Sequence, residues 1–278
     1  MKKSHVFTVL CICLQFWSLG QNTPTTTYQF ASKPSWADEF NKNGLPDSTK
    51  WNYDVGGHGW GNNELQYYTE KNLKNTRVEN GILIIEAHKE RLNDNAYTSA
   101  RLVTKGKGDF LYGRFKIRAK LPTGRGTWPA IWMLATNPIY DKNYLPNNGE
   151  IDIMEHVGYD PGRVHTTLHT KNFNQNKGTQ PSGNRKLADF HSAFHTYHID
   201  WTPDKIEAFI DNELVLSFAK VSNKWEDYPF DQSFHLLLNI AIGGGWGGLK
   251  GVDESIFPQR MEIDYVRVYP LKSTIRKK

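Results

Sequence analysis

The sequence predicts an all-β fold, a β-sandwich of antiparallel sheets, on three observations. Arg114-Phe-Lys-Ile-Arg-Ala-Lys-Leu121 alternates strictly, placing Phe115, Ile117, Ala119 and Leu121 on one face of a strand. Turn-forming clusters separate short apolar runs. Thr202-Pro-Asp204 stands between Tyr197–Trp201 and Lys205–Ile210, and Asp211-Asn-Glu213 precedes Leu214–Phe218. No long stretch carries a helical period, and only Phe190–His195 is expected to form a helical turn. Many short strands with regular turns argue for a sandwich.

In chain order, the N-terminus comes first. Lys2 and Lys3 precede an apolar run from Val6 to Trp17, followed by the small residues Ser18 and Gly20. This pattern predicts a signal peptide over residues 1–20 and a secreted or periplasmic protein. The run is too short for a transmembrane helix, so no membrane span is expected in the mature chain. Both cysteines, Cys11 and Cys13, lie inside this segment, which leaves no disulfide for the mature protein. Bulky Leu10 and Ile12 precede them, which disfavours a lipoprotein anchor.

Residues 21–33 are polar and Thr-rich and read as a flexible lead. Residues 34–271 read as one β domain with no linker or internal repeat, and 272–278 as a basic tail. Within the domain, His235–Ile242 and Met261–Tyr269 add two more strands. The formal charge of +5 falls to +3 without Lys2 and Lys3, and the basic residues are scattered. No basic stripe exists for nucleic acid to follow.

Chemistry concentrates in Gly149-Glu150-Ile-Asp152-Ile-Met-Glu155. Glu150 and Asp152 share one face of a regular strand, and Glu155 falls on the other. A single β-bulge would bring Glu155 round to join them. Crowded carboxyls raise at least one pKa, and a carboxyl that stays protonated is a general acid. One ionised nucleophile beside one protonated acid is the equipment for glycoside hydrolysis. On the next run, Trp128, Ala130 and Trp132 share a face, with Pro129, Ile131 and Met133 on the other. Flat indoles suit the apolar faces of sugar rings.

Glu150-x-Asp152-x-x-Glu155 resembles the signature of glycoside hydrolase family 16, in the bulged form of laminarinases and agarases. Further matching stretches are Trp36–Phe40, Trp60–Tyr67, Trp128–Met133 and Met261–Tyr269, so the resemblance spans about Trp36 to Tyr269. The set is most similar to bacterial endo-β-1,3-glucanases. The resemblance implies a jelly roll of two curved antiparallel sheets with a cleft on the concave face. It implies a retaining endo-β-glucanase acting on β-1,3 bonds, with mixed β-1,3/1,4 glucan as a further substrate. Glu150 is then the nucleophile, Glu155 the acid/base, and Asp152 the group that tunes the nucleophile. A monomer is expected, with β-glucan as partner and no cofactor in catalysis.

The same resemblance assigns sugar contacts to Asn63 and Arg101, and makes the loop Gly56–Gly61 one wall of the cleft. His169 ends His165-Thr-Thr-Leu-His169, whose histidines would suit zinc on a helix. On a strand, and without the Glu of the metalloprotease motif, they do not. His169 is instead expected to hydrogen-bond sugar or to pack. Trp246, in Gly243–Gly248, is a candidate stacking residue, although Gly245 stands where relatives carry Asn. Asp264 resembles the side-chain ligand of a structural calcium ion, with the backbone carbonyls of Glu39 and Gly81 as further donors. Oxygen-only ligation suits calcium. Two other readings stand beside the glucanase: a β-1,4-galactan hydrolase of the agarose type, and a glucan-binding protein without catalysis. The intact acids argue against the latter.

Overall fold

In the computed structural model, which describes residues 26–276, two eight-stranded antiparallel sheets pack face to face. One sheet runs in the order Glu213–Ala219, Lys205–Ile210, His195–Trp201, Gly113–Lys120, Gln259–Tyr269, Ile82–Ala87, Thr76–Glu79, and Trp36–Asp38 also pairs with Gln259–Tyr269. The other runs Ser182–Lys186, Arg163–His169, Glu150–His156, Thr127–Ala135, Phe234–Ile242, Arg101–Val103, Asn52–Tyr53, and Asp109–Phe110 also pairs with Phe234–Ile242. Such an order, with sequence neighbours split between sheets, is that of a jelly roll.

The period-two pattern decides which face is inside. Along Gly113–Lys120 buried and half-buried residues alternate, with Phe115, Ile117 and Ala119 inward. Ile131 and Met133 from Thr127–Ala135 meet them, with Leu236, Leu238 and Ile240 from Phe234–Ile242. The outward cations of Gly113–Lys120 find cross-strand acids. Arg114 makes two bonds to Asp200, at 2.5 and 2.6 Å, Arg118 pairs with Asp264, and Lys120 with Glu262. Opposite charges facing across strands each add a little to sheet stability.

Both anticipated hairpins form. Thr202 N–H donates to the Lys205 carbonyl at 2.9 Å, and Asp211 and Asn212 take positive φ of 51° and 67°, as a two-residue hairpin turn requires. Phe190–His195 forms turns rather than helix. Among the described residues the helices are two three-residue 3₁₀ segments, Gln175–Lys177 and Glu254–Ile256. Gln66–Tyr68 and Tyr97–Ser99 pair in parallel outside the main sheets, a departure from the antiparallel expectation.

The expected lead and tail need correction. Thr26–Phe30 and Leu271–Arg276 zip together as a two-stranded antiparallel sheet. Thr27, Tyr28 and Phe30 on one side and Ile275 on the other carry β propensity that the polar surroundings mask. The expected signal peptide, residues 21–25 of the lead and the end of the tail lie outside the described residues. No described helix is long and apolar enough to cross a membrane.

Candidate active site

Glu150–His156 is bulged where the acids require it. Asp152 stands opposite Thr167 on one neighbour, yet Glu155 stands opposite His165, so three steps on this strand match two on the next. The other neighbour shows the same slip, with Trp132 opposite Asp152 and Ala130 opposite Glu155. The extra residue turns Glu155 onto the face of Glu150 and Asp152 while Ile151, Ile153 and Met154 stay in the core. All three acids line a cavity of about 430 Å³ on the outer face of the second sheet.

Asp152 is buried, 2% exposed, while Glu150 and Glu155 are half-buried on the floor. Asp152 Oδ2 lies 3.3 Å from His169 Nε2. Oxygens of Glu150 and Asp152 and a ring nitrogen of His169 lie within 4.8 Å of one another. Trp128 Nε1 donates to Glu155 Oε1 at 2.9 Å. All three carboxyls are raised to about 8, with burial the main cause for each and the Asp152 charge a further part of the rise at Glu150 and Glu155. The indole N–H of Trp128 pulls Glu155 back towards the ionised form. The cluster therefore keeps protons near neutrality, the condition for an acid and a nucleophile to coexist.

The walls are aromatic. Trp128 and Trp132 both reach the cleft from Thr127–Ala135, as the strand alternation predicts. The guanidinium of Arg101 lies between two indoles, 4.7 Å from the Trp60 ring centre and 4.8 Å from that of Trp132, and its Nε is 3.0 Å from Asp54 Oδ2. Cation–π contact on both faces fixes the loop Gly56–Gly61 against the floor, and His58, Trp60 and Gly61 line the cleft. A second glycine loop packs beside Trp128, where a Cβ on Gly247 would sit 2.8 Å from the Trp128 Cβ. This close approach accounts for that glycine.

Most residues singled out from sequence converge here: Glu150, Asp152, Glu155, Arg101, Trp128, Trp132 and His169 all line the cleft. Asn63 does not. It stands exposed with φ of 57°, one residue beyond Asn62, which lines the cleft in its place. The left-handed turn at Asn63 reverses the direction that spacing alone suggests. Trp246 is half-buried and stands edge-on to Trp128, with ring centres 5.6 Å apart, and to His165 at 5.1 Å. Sequence reading missed Glu64, Tyr68, Tyr144 and Asn239, which also line the cleft. The signal for Glu64 was its place within the Trp60–Tyr67 stretch.

The expected calcium residues lie far from the acids in sheet topology. Asp38 pairs with Val266 and Leu83 with Ile263, so Glu39 and Gly81 end two strands that flank Asp264. The side chains have other partners. Arg118 takes Asp264 at 2.5 Å, and Arg267 takes Glu39 through two bonds of 2.7 Å. Nearby, a larger hollow of about 680 Å³ is bordered by Asp38, Lys50 and Tyr53. Of the acids that border it, Asp38 meets Lys50 and the Trp51 indole, Glu39 meets Arg267, and Asp47 accepts from Thr49.

Comparison with known proteins agrees with this geometry. A profile described as Glycosyl hydrolases family 16 matches residues 61–267. A β-glucanase of Rhodothermus marinus is 55% identical over 239 residues, covering 84% of each chain. A glucan endo-1,3-β-glucosidase of Cryptopygus antarcticus is 38% identical, covering 84% of this chain and 90% of the relative. The X-ray structure of the laminarinase from Rhodothermus marinus superposes with a TM-score of 0.86 at 52% identity, covering 88% of this chain and 99% of that one. With the bulged carboxylate strand, the tryptophan-lined cleft and these matches, the chain belongs to glycosyl hydrolases family 16.

Proposed function

We propose that this chain is a secreted or periplasmic endo-β-1,3-glucanase that retains anomeric configuration. The observation that carries the chemistry is the acid triad on one bulged strand, with Trp128 holding Glu155. Its relatives named as laminarinase and endo-1,3-β-glucosidase support the substrate.

In the first step a carboxylate oxygen of Glu150 attacks the anomeric carbon while the glycosidic bond breaks. Glu155 gives its proton to the leaving oxygen. In the second, Glu155 takes a proton from water, the oxygen of that water attacks the same carbon, and Glu150 leaves. Asp152 stands between them and hydrogen-bonds Glu150, so it can hold the shared proton while Glu150 attacks as a carboxylate and steady the charge that returns to Glu150 when it leaves in the second step. A positioned acid contributes roughly 10²–10⁴-fold. Neither step calls for a metal or an organic cofactor.

Asp264 with the carbonyls of Glu39 and Gly81 would hold a structural calcium ion. The reading is supported by the oxygen donors, which suit calcium, and by the pairing of Asp38 with Val266 and Leu83 with Ile263, which ends two strands beside Asp264. Arg118 competes for the carboxylate. The ion would join the edges of three strands and act on stability.

Purified protein given laminarin, lichenan or agarose tests the substrate. Mixed oligosaccharides released fastest from laminarin support the reading, whereas activity confined to agarose would replace it with a galactanase.

A further inference from the structure

Glu64 stands on the cleft wall and takes no part in the steps above. Its carboxylate gathers three donors: Asn62 Nδ2 at 3.1 Å, Gln66 Nε2 at 2.7 Å and the Tyr68 hydroxyl at 3.4 Å. Burial raises its pKa, and the donors from Asn62 and Gln66 oppose that. An ionised carboxylate only accepts, so its place at the end of a hydrogen-bond chain fixes the direction of every bond beyond it.

That chain can be followed. Tyr68 is fully buried, and its hydroxyl proton points at Glu64, so its oxygen is left to accept. It accepts from Asn239 Nδ2 at 3.0 Å. The amide of Asn239 is thereby fixed with Oδ1 towards the floor, where it accepts the indole N–H of Trp132 at 2.7 Å. Trp132 lies opposite Asp152 on the neighbouring strand, so its ring sets the height of a sugar beside the nucleophile. If Glu64 lost its charge, the Tyr68 hydroxyl would donate to a weaker acceptor and its oxygen would in turn accept less well from Asn239 Nδ2, loosening the amide that holds the Trp132 indole.

We propose that Glu64 is a positioning residue that acts through Tyr68 and Asn239 to hold the Trp132 platform, and so governs glucan binding. The substrate part rests on the glucanase reading, whereas the relay stands on geometry alone. The residues are far apart in sequence and belong to three segments, so the wall, the buried tyrosine and the floor respond as one unit.

Two full-length variants, Glu64→Gln and Tyr68→Phe, test it. Glutamine keeps the shape and can donate. Phenylalanine breaks the relay at a fully buried side chain. In a Glu150→Ala background, calorimetric titration with laminarihexaose should show about tenfold weaker binding for each, the effect of losing a charge-assisted hydrogen bond. The two together should be no worse than either alone. With Glu150 intact, KM should rise about tenfold while kcat changes much less. In the sugar-free protein, the indole N–H resonance of Trp132 should move upfield in both variants. Should Tyr68→Phe bind like its parent while Glu64→Gln does not, Glu64 contacts sugar directly and the relay is wrong. An unmoved Trp132 resonance in both variants overturns it without any substrate. Failure of the Glu150→Ala parent to bind laminarihexaose would count against the glucanase reading, leaving the resonance to decide the relay.

Discussion

Replacing Asp152 with Asn should stabilise the protein at alkaline pH and do nothing at acid pH. Asp152 is 2% exposed, and burial raises its carboxyl from 3.8 to about 8. Between those values the folded protein holds a proton that the unfolded chain has lost. Stability therefore falls as pH rises through this window, with the full penalty present above it. At about 1.4 kcal/mol per pH unit the ceiling is about 6 kcal/mol. His169 at 3.3 Å, water in the cleft and proton sharing with Glu150 reduce it. A net gain of about 2 kcal/mol in the variant is expected, within the range measured for relieving a buried charge. For a domain of this size that is roughly 4–8 °C in Tm. The assay is thermal unfolding by circular dichroism at intervals from pH 3.5 to 9. The difference between variant and parent should be near zero at pH 3.5 and grow until about pH 8. A gain equal at both ends would show that packing, not charge, is responsible. A loss of stability at pH 8 would show that Asp152 is stabilised as an anion, and the argument from burial would fail.

Other outcomes follow from the same geometry. Trp128→Phe removes the N–H that pulls Glu155 towards ionisation, so the alkaline limb of the kcat profile should move up. A limb that stays put or moves down would contradict that bond. Glu150→Ala should nearly abolish turnover on every substrate, whereas Glu155→Ala should keep the first step with a nitrophenyl leaving group and yield a β-glycosyl azide when azide is added. Identical behaviour of the two would reverse or void the assignment. Chelator should lower Tm with little change in activity at low temperature, the stability removed being about 2.7 kcal/mol if free calcium is 100 times its dissociation constant. Asp264→Ala should mimic the chelator, and indifference to both would remove the ion.

Elements governed by local pattern were legible in the sequence. Gly113–Lys120 declared its buried face by alternation, and the hairpin at Asp211-Asn212 by its turn residues. The bulge at Glu150–Glu155 was one of two options on the residues alone and was implied by the resemblance to the bulged family signature; the strand has it, with Ile151, Ile153 and Met154 inside. What failed depended on distant partners or on a single backbone angle. Thr26–Phe30 reads as a lead until Leu271–Arg276 arrives from the far end of the chain. Asn63 and Asn62 are indistinguishable by type, and the difference the structure shows is that Asn62 lines the cleft while Asn63 takes a positive φ. Asn239 sits in an otherwise apolar strand, and its partners Tyr68 and Trp132 come from 171 and 107 residues away, beyond any local periodicity. Asp264 keeps its place as the proposed calcium ligand, and the cross-strand Arg118 that competes for its carboxylate is visible only once the sheet is assembled.

The central claim is that Glu150 and Glu155 act on one sugar by double displacement. Proton NMR of laminarin cleavage, followed from the first minutes before mutarotation, tests it most directly. The account predicts that the new reducing ends appear first as the β-anomer and equilibrate to α later. Early α-anomer would mean single displacement by water, and Glu150 would lose its place as the nucleophile.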